Sequence, residues 1–151
     1  MELVPTDFFE KVVGRNNVFL DAQTAQAFSH DHTENLRYPP EVVLTPRSTN
    51  EISSIVRHCN ERRIPITPIG AQTGLSGGCL SVHGGVGLAL KRMNNILEID
   101  EANFQITTEP AVITQELQEA LDSKGLYYPP DPASRGSCFI GGNIAENSGG
   151  P

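Results

Sequence analysis

The chain has 151 residues and a formal net charge of −7, with 18 acidic and 11 basic side chains. Such a charge repels nucleic acid on average, and no cluster of Lys and Arg offsets it, so the composition argues against nucleic-acid binding. The cysteines, odd in number, form no C-x-x-C pair and follow no secretory leader, and we therefore expect a cytoplasmic location. No apolar run is long enough for a membrane span.

The elements predicted in chain order begin with a helix over residues 6–13 that Gly14 ends. Residues 28–40 are polar and irregular. A short apolar strand follows at Val42–Leu44, directly before Pro46. The first part of the chain therefore predicts a helical and irregular segment over 1–40 that leads into a sheet.

The strongest helix signal runs from Thr49 to about Arg62. Ser48 and Glu51 have the spacing of a capping box. Apolar residues recur at intervals of three and four, at Ile52, Ile55, Val56 and Cys59. A strand is predicted next, at Ile64–Ile69, where two prolines limit its pairing. Strand, helix and strand together indicate a βαβ unit with a parallel pair of strands.

The second half of the chain predicts further strands and one more helix. Apolar segments lie at Val86–Leu90, Ile96–Ile99 and Phe104–Thr108, and a helix spans Thr114–Lys124 with Gly125 at its end. The pattern predicts an α+β fold with a small, mostly parallel sheet and the start of a second subdomain. Because the sequence stops inside a glycine-rich run, we expect it to be the amino-terminal part of a longer protein.

The first glycine-rich loop, Gly70–Gly78, reads GAQTGLSGG. Its glycines, at 70, 74, 77 and 78, permit positive φ and close approach of a ligand to the main chain. Successive N–H groups in such a turn form a concave site for an anion such as a pyrophosphate. Neither G-x-G-x-x-G nor the lysine of a P-loop is present. A tight inter-strand loop without a ligand is the alternative interpretation.

The second loop spans Pro129–Gly150 and begins with a rigid Pro-Asp-Pro turn at residues 130–132. Small side chains follow at Ser134, Ser137 and Cys138, and two further glycine pairs lie at 141–142 and 149–150. Two loops of this kind predict opposite walls of one crevice, which is where α/β folds place nucleotides.

Five segments, in this order, carry a family resemblance: VLTPRSTNEISSIV, PITPIGAQTGLSGG, RMNNILEID, PPDPASRGSCFIGGN and AENSGGP. From Val42 to Pro151 the sequence resembles the FAD-binding domain of FAD-linked oxidases of the p-cresol methylhydroxylase/vanillyl-alcohol oxidase superfamily. Within it, the sequence is most similar to the D-lactate dehydrogenase and glycolate oxidase flavoprotein-subunit branch. The resemblance implies an FAD-binding domain over 41–151 that is incomplete at its carboxyl end.

The resemblance further implies an enzyme that oxidises a D-2-hydroxy acid and passes electrons to an acceptor. It implies FAD contacts from the first loop, at Pro68, Gly70, Ala71, Gln72, Thr73, Gly74, Leu75, Ser76, Gly77 and Gly78. From the second loop it implies contacts at Pro130, Asp131, Ser134, Ser137, Cys138, Gly141, Gly142, Asn143, Ala145 and Asn147. Catalytic residues in such proteins come later in the chain, so none is assigned, and we expect these 151 residues alone to be inactive.

Some positions depart from the family pattern. Ile69 stands where many relatives carry Arg, Gln72 where many carry Gly, and Ala111 where Gly is usual, which suggests a sub-branch with its own substrate. Thr73 occupies the place of the histidine that bonds FAD covalently in some relatives. We therefore expect non-covalent FAD.

Several other interpretations concern single clusters and the function itself. His30, Asp31, His32 and Glu34 are competent metal ligands, but without a second cluster we favour no metal and a role for Asp31 in bracing local backbone. Tyr127 and Tyr128 after a helix predict one core ring and one rim ring, and the cysteines are expected to be small buried filler. The alternative functions are a non-catalytic nucleotide-binding module and an NADPH-dependent cell-wall-precursor reductase of the same superfamily.

Overall fold

The computed structural model describes residues 5–33 and 35–150. The chain divides into two compact units, Met1–Arg92 and Met93–Pro151. No helix of the described residues is long and apolar enough to cross a membrane.

The first unit contains a four-stranded sheet and three α-helices. Its elements are α1 (Asp7–Val13), a 3-10 turn (Arg15–Asn17), β1 (Val18–Phe19), α2 (Ala22–Ala27), β2 (Val42–Leu44), α3 (Thr49–Arg62), β3 (Ile66–Ile69) and β4 (Val86–Ala89). The strand order is β1-β2-β4-β3, with β1 antiparallel to β2 and the other neighbours parallel. The mostly parallel sheet of the prediction is confirmed.

The strands of the predicted βαβ unit, β2 and β3, are parallel but do not pair with each other. The predicted parallel direction is confirmed, and β4 lies between the two strands and pairs with both. Every residue of β4 is buried, which suits a central strand. β3 contains Pro68, which has no N–H to donate, and the strand accordingly lies at the edge of the sheet.

Ser48 caps α3 as the sequence predicts, but Glu51 completes the cap through the N–H of Arg47 and not through that of Ser48. Ser48 Oγ accepts from the N–H of Glu51 at 3.2 Å, and Glu51 Oε2 accepts from the N–H of Arg47 at 2.8 Å. The helix ends at Arg63, whose left-handed φ of +55° closes it. Of the predicted apolar face, Ile55 and Cys59 are fully buried.

Val56 was wrongly assigned to that buried face, since its side chain is 44% exposed. His58 takes the position instead, three residues after Ile55. The imidazole stacks on the ring of Phe8 from α1, with centroids 3.8 Å apart and planes within 8°. The core of the unit consists of Phe9, Val13, Val42, Leu44, Ile55, Cys59, Val86 and Leu88.

The stability of the fold should depend on pH through His58. Arg62 Nη1 lies 3.2 Å from Nδ1 and donates to it, which leaves the proton of the neutral ring on Nε2, a buried atom without a partner among the described residues. Burial lowers the pKa of His58, and the positive charge of Arg62 lowers it further. The unfolded chain therefore binds this proton more readily than the folded one.

We expect the free energy of unfolding to be largest above the pKa of an unfolded histidine, roughly 6.5, and to fall as the pH drops below it. Replacing His58 by leucine should remove most of this dependence between pH 7 and pH 5. Urea denaturation at a series of pH values measures it. His83→Gln, at an exposed position, is the matched control and should keep the wild-type slope. An unchanged slope in His58→Leu would contradict the assignment.

The second unit contains an antiparallel pair, β5 (Ile96–Asp100) and β6 (Gln105–Thr108), and the helices α4 (Thr114–Asp122) and α5 (Ile140–Ala145). Val112, Leu117, Leu121 and Ile140 form its core. Phe104, predicted to begin a strand, lies in the turn before β6 with a φ of +54° and is 82% exposed.

Two α-helices and one β-strand were not predicted. β1 is only two residues long, and α2 buries none of its residues, so neither carries an apolar repeat. The start of α2 is capped by Asp21, which accepts from the N–H of Thr24 at 2.8 Å. α5 was predicted as loop because of Gly141 and Gly142. It forms because Ile140 and Asn143, one turn apart, are both buried. The α+β class is confirmed, and the predicted boundary at residue 40 stays a prediction.

Candidate functional site

The first loop, Gly70–Gly78, leaves the carboxyl end of the edge strand β3. Pro68 is an exposed residue of that strand. Within the loop, positive φ occurs at Gly77 (+75°) and at Gln72 (+59°). The prediction of positive φ at the glycines 70, 74 and 78 was therefore wrong, and a glutamine adopts the conformation that glycine was expected to supply.

The backbone N–H groups of this loop fall into two sets. From Ala71 to Leu75, no described residue accepts a hydrogen bond from them. The N–H of Gly77 donates to Asp31 Oδ2 at 2.9 Å, and the N–H of Gly78 lies 3.4 Å from Ser76 Oγ. The first half of the loop thus keeps its donors available, while the donor of Gly77 is satisfied by a carboxylate of the same chain.

Asp31 braces two stretches of backbone, as predicted. Its Oδ1 accepts from the N–H of Thr33 at 2.8 Å, and its Oδ2 accepts from Gly77, 46 residues along the chain. Burial raises the pKa of Asp31, but the hydrogen bonds from Thr33 and Gly77 outweigh it and hold the pKa below its ordinary value. The carboxylate is therefore charged at neutral pH.

A cavity of about 340 Å³ lies beside the loop and is lined by Ala27, His30, Asp31, His32, Ala71 and Gln72. Of the cluster weighed as a metal site, Glu34 lies outside the described residues. Within 5–33 and 35–150, no group of three or more His, Cys, Asp or Glu side chains is arranged to hold a metal ion.

The second loop is closed on itself within the second unit. The N–H of Asp131 donates to the carbonyl of Gly149 at 2.8 Å, and Asp131 Oδ1 pairs with Arg135 at 2.7 Å. Gln118 Nε2, from α4, donates to the carbonyl of Pro130 at 2.9 Å. Gln118 was not predicted as a site residue, because nothing in the local sequence of α4 indicates that its amide holds a distant turn.

Cys138 and Asn143, both predicted to face the cofactor, direct their side chains into the unit. Thr114 Oγ1 lies 3.3 Å from Cys138 Sγ and accepts from Asn143 Nδ2 at 2.5 Å. These side chains join the start of α4 to α5, and Cys138 is buried filler, as expected. Ser134 accepts the N–H groups of Ser137 and Cys138 at its carbonyl, each at 2.8 Å.

Gly141 and Gly142 differ in their surroundings although both are helical. Neither has positive φ. The N–H of Gly141 donates to the carbonyl of Pro110 at 2.9 Å and is not available to a phosphate. Nothing lies within 4 Å of a Cβ built on Gly142. Beyond them, Ala145 and Asn147 are exposed.

Residues 40–151 match a protein family described as an FAD binding domain. The chain belongs to this family. The match includes both glycine-rich loops and begins just before β2.

Among curated FAD-family relatives, the chain is 50% identical over 123 residues to glycolate oxidase subunit GlcD of Bacillus subtilis strain 168, covering 82% of this chain and 26% of that protein. It is 38% identical to the D-lactate dehydrogenase of Anaerostipes hadrus, covering 93% of this chain and 30% of that protein. The chain therefore spans between 26% and 30% of the length of these relatives.

The fold is that of p-cresol methylhydroxylase-type FAD-binding domains. Superposed on p-cresol methylhydroxylase solved with substrate bound, the chain gives a TM-score of 0.68 at 25% identity, covering 80% of this chain and 24% of that one.

The first loop of this FAD-binding domain has backbone donors of the kind that a diphosphate would accept from. It offers the N–H groups from Ala71 to Leu75 without a described acceptor, which is the donor set an anion requires. No Lys or Arg lies within Gly70–Gly78, so the loop would act through its backbone. The second loop belongs to the other unit, and the predicted crevice between the two loops stays a prediction.

The tyrosine pair after α4 and the three cysteines differ in how deeply their side chains are buried. Tyr127 is 78% exposed, whereas Tyr128 packs on the core of the second unit, which confirms the predicted division. Burial raises the pKa of the Cys59 thiol to about 11, and this thiol is therefore inert. Cys79 is only half-buried, unlike the other two cysteines.

Proposed function

We propose that the chain binds FAD non-covalently as part of a flavin-dependent oxidoreductase that oxidises a D-2-hydroxy acid of the D-lactate or glycolate type. The observation that carries the proposal is the run of backbone N–H groups from Ala71 to Leu75 without a described acceptor. The relatives support the substrate class, since they are named a glycolate oxidase subunit and a D-lactate dehydrogenase.

In this proposal the first loop holds the diphosphate of FAD, and the turn at Pro130 and Asp131 lies along the cofactor. Bound FAD supplies the acceptor for the hydride that leaves the carbon bearing the hydroxyl group. The chain contributes binding and orientation: Gln118 and Arg135 fix the turn, and Asp31 fixes the loop. The substrate and an electron acceptor are its small-molecule partners, and the cytoplasm is its proposed location.

The test is to express the natural full-length protein, remove bound cofactor, and titrate FAD while following flavin fluorescence. We expect saturable binding, and bleaching of the flavin absorbance by D-lactate, glycolate or a related D-2-hydroxy acid without oxygen. Binding of ADP without any flavin binding would favour a nucleotide-binding module. Flavin bleaching by NADPH but by no hydroxy acid would favour a reductase.

The cofactor should be released intact by acid. Thr73 stands where a histidine bonds FAD in some members of the superfamily it resembles. Two of the cysteines are poor nucleophiles, since Cys59 has a raised pKa and Cys138 is buried. After precipitation with trichloroacetic acid, we expect the yellow colour in the supernatant and the unmodified mass in the pellet. A flavin-sized mass addition to the chain would contradict non-covalent binding.

A further inference from the structure

Gln72 adopts a conformation that side chains other than glycine rarely take. Its φ of +59° is left-handed, and an L-residue disfavours this conformation because its Cβ crowds the backbone. Its amide nitrogen Nε2 donates to the carbonyl of Ala27 at 3.0 Å and also to the carbonyl of His30. These hydrogen bonds, to residues more than 40 positions earlier, offset the unfavourable φ.

The same segment contacts the loop at two further points. The N–H of His32 donates to the carbonyl of Gly74 at 3.0 Å. The carboxylate of Asp31 accepts from Gly77 and, on its other oxygen, from Thr33. Residues 27–33 thus hold the loop at Gln72, Gly74 and Gly77, and the N–H groups from Thr73 to Leu75 lie between the outer two points.

We propose that residues 27–33 form a strut that fixes the first loop for diphosphate binding, with Asp31 and Gln72 as its positioning residues. The inference rests on the proposed function. It extends the cofactor site to a segment that precedes the matched residues 40–151. Glycine would adopt the positive φ at position 72 without strain. In this chain the hydrogen bonds from the Gln72 side chain to the strut stabilise that φ instead.

The negative charge of Asp31 allows a test in which electrostatic repulsion and loop positioning predict opposite changes in FAD affinity. A carboxylate beside the loop repels a diphosphate, so removing its charge would by itself raise FAD affinity. Asp31→Asn removes the charge but keeps a single acceptor oxygen, and it therefore loses one of the two backbone hydrogen bonds. If Asp31 positions the loop, this variant should bind FAD more weakly than the wild type, despite the lost repulsion. Tighter binding would overturn the proposal.

Gln72 offers a rescue test. Gln72→Ala removes the tether and keeps a Cβ at positive φ, so in the natural full-length protein we expect its Kd for FAD to rise about tenfold or more. Gln72→Gly also removes the tether but takes the same φ without strain. It should recover most of the affinity. Wild-type affinity in both variants would overturn the proposal.

Amide hydrogen exchange of residues 70–78 in the apoprotein supplies a readout without cofactor. We expect faster exchange in Asp31→Ala and Gln72→Ala. Asp100→Ala is the matched control, since its carboxylate accepts from Asn103 in the turn before β6, and it should leave the loop unchanged. Unchanged exchange in both strut variants would overturn the proposal, whether or not FAD binds.

The two proposals fail in different ways. If the wild type binds neither FAD nor ADP, the proposed function fails while the exchange result still tests the strut. If the wild type binds FAD and the strut variants bind it equally well, the strut fails and the proposed function stands.

Discussion

Replacing Gly141 by alanine should lower the free energy of unfolding by about 2 kcal/mol, whereas the same change at Gly142 should raise it by up to about 1 kcal/mol. A Cβ at Gly141 would lie 2.8 Å from Cβ and 2.9 Å from the carbonyl oxygen of Pro110. Backbone must shift to relieve such contacts, and the shift would break the hydrogen bond from Gly141 to Pro110. At Gly142 a Cβ meets nothing within 4 Å and only favours the helix.

The two variants are adjacent in α5 and control for each other, because both introduce the same methyl group into the same short helix. Thermal and urea denaturation of the apoprotein measure the difference. Equal destabilisation by both would mean that α5 is held by glycine flexibility rather than by its packing on Pro110. FAD titration of Gly142→Ala then reports whether the cofactor approaches this open position, as the family resemblance implies.

The sequence predicts those elements whose signals are local. The capping box and apolar spacing of α3 identify its bounds from Thr49 to Arg62, and a continuous apolar run identifies β4. Strand order could not be predicted from local signals, because the position of β4 between β2 and β3 depends on pairing between distant segments. α5 was missed because its glycines are poor helix formers, and the burial of Ile140 and Asn143 against distant residues overrides that preference.

In the candidate site, too, features with a local sequence signal were predicted, and features that depend on distant residues were not. Glycine content identified the first loop, but it indicated the wrong residues for positive φ. At Gln72 the conformation depends on carbonyl groups of Ala27 and His30, and no local pattern reveals them. The side chains of Cys138 and Asn143 were expected at the cofactor because the glycine-rich segment around them was taken as loop. Their hydrogen bonds to Thr114 follow from the helix that forms there instead.

Replacing Gly77 by valine should weaken FAD binding on the order of a hundredfold while changing the apoprotein melting temperature much less. Gly77 has a φ of +75°, which a β-branched residue strongly disfavours, and its N–H is the group that Asp31 holds. A Cβ there would meet Leu80 at an ordinary 3.4 Å, so the expected effect comes from backbone conformation and not from crowding. The loop must rearrange, and the donors from Ala71 to Leu75 are displaced with it.

Gly125→Val is the matched control for this variant. Gly125 has a φ of +69° and open space around its Cβ position, but it follows α4 in the second unit and belongs to neither glycine-rich loop. The control should lower the melting temperature and leave FAD affinity unchanged. If the first loop is only a connection between β3 and β4, Gly77→Val should resemble the control in both measurements. FAD titration into folded apoprotein of each variant separates these outcomes, since only a cofactor loop couples the strained φ at Gly77 to the affinity for FAD.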